Sequence, residues 1–190
     1  MGSGSGEYLV WPYTDAIEVM IAHHLSLRTE LGRLRAIDSD VQRRDPESLE
    51  DAALLARAAI DLFGSAGELH AFDEEALLFP RLREACGSGE LAVVETLDRV
   101  EAEHAELRPL WPRLERYLTR LSADEPVSVR DLHESRLELE ECVIAHMRFE
   151  ELFVYPAARR VLGPDVLRDM MDEMRAHRRC PSVRPFAAIP

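Results

Sequence analysis

His70, Glu74, Glu75, Phe79 and Pro80 are repeated as His146, Glu150, Glu151, Tyr155 and Pro156, at identical offsets. A second match joins His24-Leu25-Ser26-Leu27-Arg28 to His104-Ala105-Glu106-Leu107-Arg108. The chain therefore reads as two helical hairpins of one design. Each hairpin supplies one lone His and one His-x-x-x-Glu. Residues i and i+4 lie on one face of an α-helix, about one turn apart. His70 and Glu74 thus point the same way, as do His146 and Glu150.

Helical periodicity surrounds the repeat, and strand-like alternation is hard to find. A first helix is predicted from Thr14 or Asp15, where Asp15 and Glu18 form a capping box. Its stripe runs Ile17, Met20, Leu27, Leu31, Leu34, with His24 filling the gap, and it fades near Ile37 into an Asp38-Ser39-Asp40 loop. A second helix starts at Pro46, a favoured first position, is kinked by Pro80 and stops at Gly87-Ser88-Gly89. A third spans about 90–121; its stripe is Leu97, Val100, Leu107, Trp111, Leu114, His104 fills the gap, and Pro109 and Pro112 bend it. A fourth spans about 128–161 and stops at Gly163-Pro164. A short amphipathic helix over about 165–178 carries Met170, Met171 and Met174, which read as a cover for the bundle end or a homodimer contact. The fold class is all-α: an up-down-up-down four-helix bundle over 14–162, after a flexible leader (1–13) and before a C-terminal helix and tail (163–190).

Composition narrows the function. At 190 residues the chain is one domain, and its 46% hydrophobic content is enough for a core. A formal net charge of -13 makes nucleic acid and anionic membranes poor partners. Three scattered cysteines form no disulfide framework and fit a reducing, cytoplasmic setting. No apolar run reaches the roughly 18 residues of a membrane span.

His24 and His104 sit in apolar stripes, so all four imidazoles and both carboxylates are expected to converge inside the bundle. Buried, unpaired carboxylates are very costly. Two divalent metals resolve the cost: each takes two imidazoles, and Glu74 and Glu150 bridge. Nitrogen and oxygen donors without thiolate fit iron, with manganese or zinc as alternatives.

These residues resemble the hemerythrin-like, or HHE cation-binding, family. The resemblance runs from about residue 14 to 161 and includes Leu78-Phe79-Pro80 and Val154-Tyr155-Pro156. It implies a non-haem di-iron centre, oxo- or hydroxo-bridged, in a four-helix bundle. It implies His24, His70, Glu74, His104, His146 and Glu150 as ligands, and a small diatomic or peroxide partner. The family includes oxygen carriers, sensors of oxygen, nitric oxide and redox state, iron-responsive regulators and peroxide-decomposing proteins. Oxygen carriers have a fifth imidazole where this chain has Arg108, and a carboxylate five residues after the last His. Here Glu150 stands at four and Glu151 at five, and the match to Glu74 favours Glu150. A symmetric set leans toward redox chemistry, sensing or iron handling. The alternative is a di-iron oxidase or oxygenase acting on a small organic substrate, with room left by Ala66 and Cys142. A third reading is a structural bundle stapled by metal.

Other residues carry a plain reading beside a sharper one. Glu75 and Glu151 are solvated or bond the ligand histidines. Glu101, one turn before His104, is solvated or an extra ligand. His23 is a boundary residue or a substitute imidazole. Cys142, four residues before His146, is a small buried hydrophobe or a thiol beside the metals. Tyr155 aligns with Phe79, so the repeat does not call for its hydroxyl.

Overall fold

The computed structural model describes residues 12–87 and 89–179. Most of the expected leader, the tail from Cys180 and the side chain of Ala66 lie outside the described residues. The fold is an all-α bundle of four rods, with no strand among the described residues. Rod one is α1 (Ala16–Arg43). Rod two joins α2 (Pro46–Phe72), a π-helical stretch (Asp73–Leu78) and α3 (Phe79–Cys86). Rod three is α4 (Leu91–Leu107) followed by α5 (Leu110–Ser122). Rod four joins α6 (Val129–Phe149), a second π-helical stretch (Glu150–Val154) and α7 (Tyr155–Val161). A last helix, α8 (Pro164–Arg179), packs against α1. None of the described helices is long and apolar enough to cross a membrane.

Local chemistry sets the ends. The Asp15 carboxylate accepts from the Glu18 N–H at 2.9 Å, and the Glu18 carboxylate accepts from the Thr14 N–H at 2.7 Å. The expected reciprocal cap thus closes one residue early. Asp45 caps α2 through the Ser48 N–H, with Pro46 behind it. The expected loop at Asp38-Ser39-Asp40 does not form, and α1 continues to Arg43. Asp38 is instead buried and accepts from His133 Nδ1 at 2.6 Å, Arg136 Nε at 3.0 Å and Gln42 Nε2 at 3.2 Å. A carboxylate with two donors on α6 and one a turn further along α1 has no need of a turn.

The kink expected at Pro80 is a π stretch upstream of it. Proline lacks an N–H, and in an α-turn its ring meets the carbonyl four residues back. Each rod opens the preceding turn instead. The Phe79 N–H donates to the Glu74 carbonyl, and the Tyr155 N–H donates to the Glu150 carbonyl, both over five residues. Rod three breaks at Arg108 and Pro109, as its prolines predict.

The apolar core falls into two clusters. One joins Met20, Leu78, Phe79, Leu97, Val100 and Tyr155 to the α8 residues Leu167, Met170, Met171 and Met174. The methionine face is thus buried within the chain. The other joins Leu27, Leu31, Phe63, Leu114, Leu139 and Met147. The chain positions between Met20 and Leu27 on α1, and between Val100 and Leu114 on rod three, mark where the clusters part. His24 and His104 occupy those positions.

Candidate metal centre

All six expected residues meet in that polar layer, each buried. His24, His70, Glu74 and Glu150 offer ligand atoms within 4.8 Å of one another, and so do Glu74, His104, His146 and Glu150. The two groups share both glutamates. His24 Nε2 and His70 Nε2 lie 2.9 Å apart, and His104 Nε2 and His146 Nε2 lie 3.0 Å apart. Glu150 reaches both pairs, at 3.2 Å from His24 Nε2 and 3.1 Å from His146 Nε2. Glu74 lies 3.6 Å from His70 Nε2 and 3.4 Å from His104 Nε2. The π stretches begin at or beside the two glutamates, so each backbone opens where its carboxylate turns inward, a common device at functional sites.

A second layer of carboxylates holds the rings. His24 Nδ1 bonds Glu151 at 2.8 Å, His104 Nδ1 bonds Glu75 at 2.8 Å, and His146 Nδ1 bonds Glu103 at 3.1 Å. Arg28 donates to Glu151 at 3.0 Å and Arg108 donates to Glu75 at 2.7 Å. Burial raises the Glu75 carboxyl, but His104 and Arg108 outweigh it and hold it below its ordinary range. Glu151 is lowered the same way by His24 and Arg28. Arg108, standing where a fifth imidazole was absent, is therefore the outer member of an Arg–Glu–His chain, with Arg28 as its counterpart. The repeat contains this signal, because both lone histidines are followed four residues later by Arg.

The two hairpins differ in three places. Tyr155 and Phe79 both cover the layer, with ring centroids 5.3 Å from His24 and 6.0 Å from His104 respectively. The Tyr155 hydroxyl donates to Glu74 Oε1 at 2.8 Å and lies 3.0 Å from His24 Nε2. Burial and the charges of Glu74 and Glu150 push its pKa well up, so it keeps its proton. The alignment with Phe79 had hidden this role. Next, the residue before His104 is Glu103, which serves His146. The residue before His24 is His23, whose ring meets His70 edge-on at 5.7 Å. His23 is outside both ligand groups and contacts Arg178 at 3.1 Å. Burial, His70 and Arg178 push it down to about 3, so it is neutral. Finally, Asp73 is buried and pairs with Arg178 of α8, where rod four has Phe149.

Glu101 follows its solvated reading, whereas Cys142 departs from the buried position expected of it. Glu101 is exposed and paired with Arg83 at 3.0 Å, because Val100 takes the inward position on α4. Cys142 is exposed, because Leu139 and Val143 take the inward positions on α6.

The family description "Hemerythrin HHE cation binding domain" matches residues 15–135 and 96–180. The chain belongs to this family. No curated protein and no solved structure matched it. In this hemerythrin-like protein the donor set fits a cation on local grounds. Three histidines give their Nδ1 proton to a carboxylate, which leaves Nε2 bare. Bare nitrogens facing each other across 3.0 Å, as in His104 and His146, repel unless a cation lies between or beside them. Both Glu150 oxygens and Glu74 Oε2 are buried without a hydrogen-bond donor. Such groups are rare without an ion. Burial pulls His104 down, yet Glu150, Glu74 and Glu75 outweigh it and raise it to about 11. A bound cation would take the place of that proton and leave Nε2 bare.

A cavity of about 990 Å³ adjoins the layer. It runs from the surface between α2 and the break in rod three to His70, His104 and His146.

Proposed function

We propose that this hemerythrin-like protein holds two iron ions and binds or reacts with oxygen, peroxide or nitric oxide. The reading rests on the two facing pairs of imidazole nitrogens that share a pair of buried carboxylates. His24 and His70 would hold one ion, and His104 and His146 the other, with Glu74 and Glu150 between. Bound iron would supply redox change and a position for a small exogenous ligand. The chain supplies the rest. Glu75, Glu151 and Glu103 hold the Nδ1 protons, so Nε2 stays a donor. Arg28 and Arg108 keep two of those carboxylates ionised. Tyr155 keeps one proton at its hydroxyl, in reach of Glu74 Oε1. Phe79 and the two apolar clusters flank the layer.

Anaerobic loading with ferrous iron, followed by desalting and elemental analysis, should give close to two irons per chain. Exposure to oxygen or peroxide should then change the visible spectrum. Loss of about one iron is expected in His104→Ala, and of more in Glu150→Ala. Full occupancy in both variants would overturn the ligand set. The cavity favours a second reading, an oxidase or oxygenase with an organic substrate. That reading predicts oxygen consumption that depends on an added organic molecule, whereas the first predicts turnover of oxidant alone.

A further inference from the structure

The cavity has a chemical character of its own. Its inner wall is apolar, built from Leu27, Leu139, Val143 and Met147. Trp111, stacked on Phe63 at 4.6 Å, lines its middle. Its volume of about 990 Å³ is at the upper end of small-molecule sites, which span roughly 300–1,000 Å³. The space has a structural origin. Rod three breaks at Pro109, and α2 presents Gly67, where an added Cβ would meet nothing within 4 Å. Besides Glu75, the carboxylates Glu68 and Glu115 also line it. Neither has a cationic partner among the described residues. Arg108, the one arginine among the described lining residues, is already engaged by both oxygens of Glu75.

We propose that this cavity binds an aliphatic amine, its apolar chain filling the space toward His104 and His146 and its ammonium held by Glu68 and Glu115. A fatty acid has the wrong charge for this rim. A neutral alcohol leaves the two carboxylates unpaired. An ammonium satisfies both, and the chain displaces water from an apolar wall. The inference rests on the cavity and its rim, and does not depend on which metal the centre holds. It deepens the second functional reading by naming the class of molecule that enters.

The test is calorimetric titration of the full chain with n-decylamine, 1-decanol and decanoate. One decylamine is expected per chain, at least tenfold tighter than decanol, with decanoate weakest. Gly67→Leu fills the space without a backbone clash and should weaken decylamine tenfold or more, while the unfolding midpoint is unchanged or higher. Glu68→Gln combined with Glu115→Gln should bring decylamine to the level of decanol and leave decanol unchanged. General attraction of an amine to an acidic protein would survive Gly67→Leu, and that result would overturn the proposal. Equal affinity for amine and alcohol in the unaltered protein would overturn it too, as would tighter decanoate or no binding at all. Iron content measured on the same samples separates failure here from failure of the di-iron reading.

Discussion

Each imidazole in the polar layer is defined by what its far nitrogen touches. Three touch carboxylates, and the fourth, His70, has no hydrogen-bond partner at Nδ1. Carboxylates behind metal-bound histidines are worth about 10–100-fold in metal affinity. Glu103→Gln is therefore expected to weaken metal binding by roughly that factor, read in a competition titration against a chelator. Tyr155→Phe should keep the metal stoichiometry, since Phe79 shows that a phenyl ring fits the equivalent place. It should lower the stability of the chelated protein by about 1–3 kcal/mol, because Glu74 Oε1 loses its donor in a buried site. Urea unfolding of the metal-free variant checks this. The six inner residues were legible because spacing alone puts them on inward faces. Glu75 and Glu151 were legible as bonding partners because the repeat carries both. Glu103 was not, because the repeat has His23 in its place. Tyr155 was missed for the opposite reason: similarity to Phe79 conceals one oxygen atom.

At the level of the helix, the same prolines that the sequence displays act through their neighbours. They open a π-turn rather than a kink, and periodicity cannot distinguish the two. Deleting Ala76, an exposed residue within the first π stretch, should close that turn to an α-turn. The closed turn would bring the Pro80 ring against a carbonyl of the preceding turn and draw the backbone at Glu74 back from the polar layer. The expected outcome is iron below one per chain and a lower unfolding midpoint. The α1–α6 contact offers a second test. Burial raises Asp38, but His133, Gln42 and Arg136 outweigh it and hold its folded-state pKa below 3.8. A carboxyl lowered on folding contributes stability above its unfolded pKa and loses it as pH falls through the folded value. Asp38→Asn should therefore cost about 1–3 kcal/mol near neutrality, and the gap to the unaltered protein should shrink in acid. Unfolding curves from pH 7 down to 3 would show it. The sequence reading placed a loop here because Asp-Ser-Asp has turn chemistry. What overrides it is the pair of donors on α6, His133 and Arg136, a contact beyond any local window.

In the whole molecule, a charged layer separates two apolar clusters. Removing the cation leaves buried carboxylates facing bare nitrogens, so chelation should lower the unfolding midpoint by on the order of 10 °C by calorimetry. Bundle topology was legible from four periodic stripes with short connections. The role of α8 was less so, because its amphipathic face could as well have met a second copy. Within the chain it buries four apolar side chains and brings Arg178 to Asp73. That last contact has a consequence for biosynthesis. Asp73 and Arg178 are 105 residues apart in the chain. A polypeptide still emerging from the ribosome has both hairpins before it has α8. During that interval Asp73, next to one of the candidate ligands, is without its counter-charge, and the apolar cluster at that end is uncovered. Assembly of this end therefore waits for the synthesis of α8, and a product truncated before residue 164 would leave the polar layer uncovered at that end.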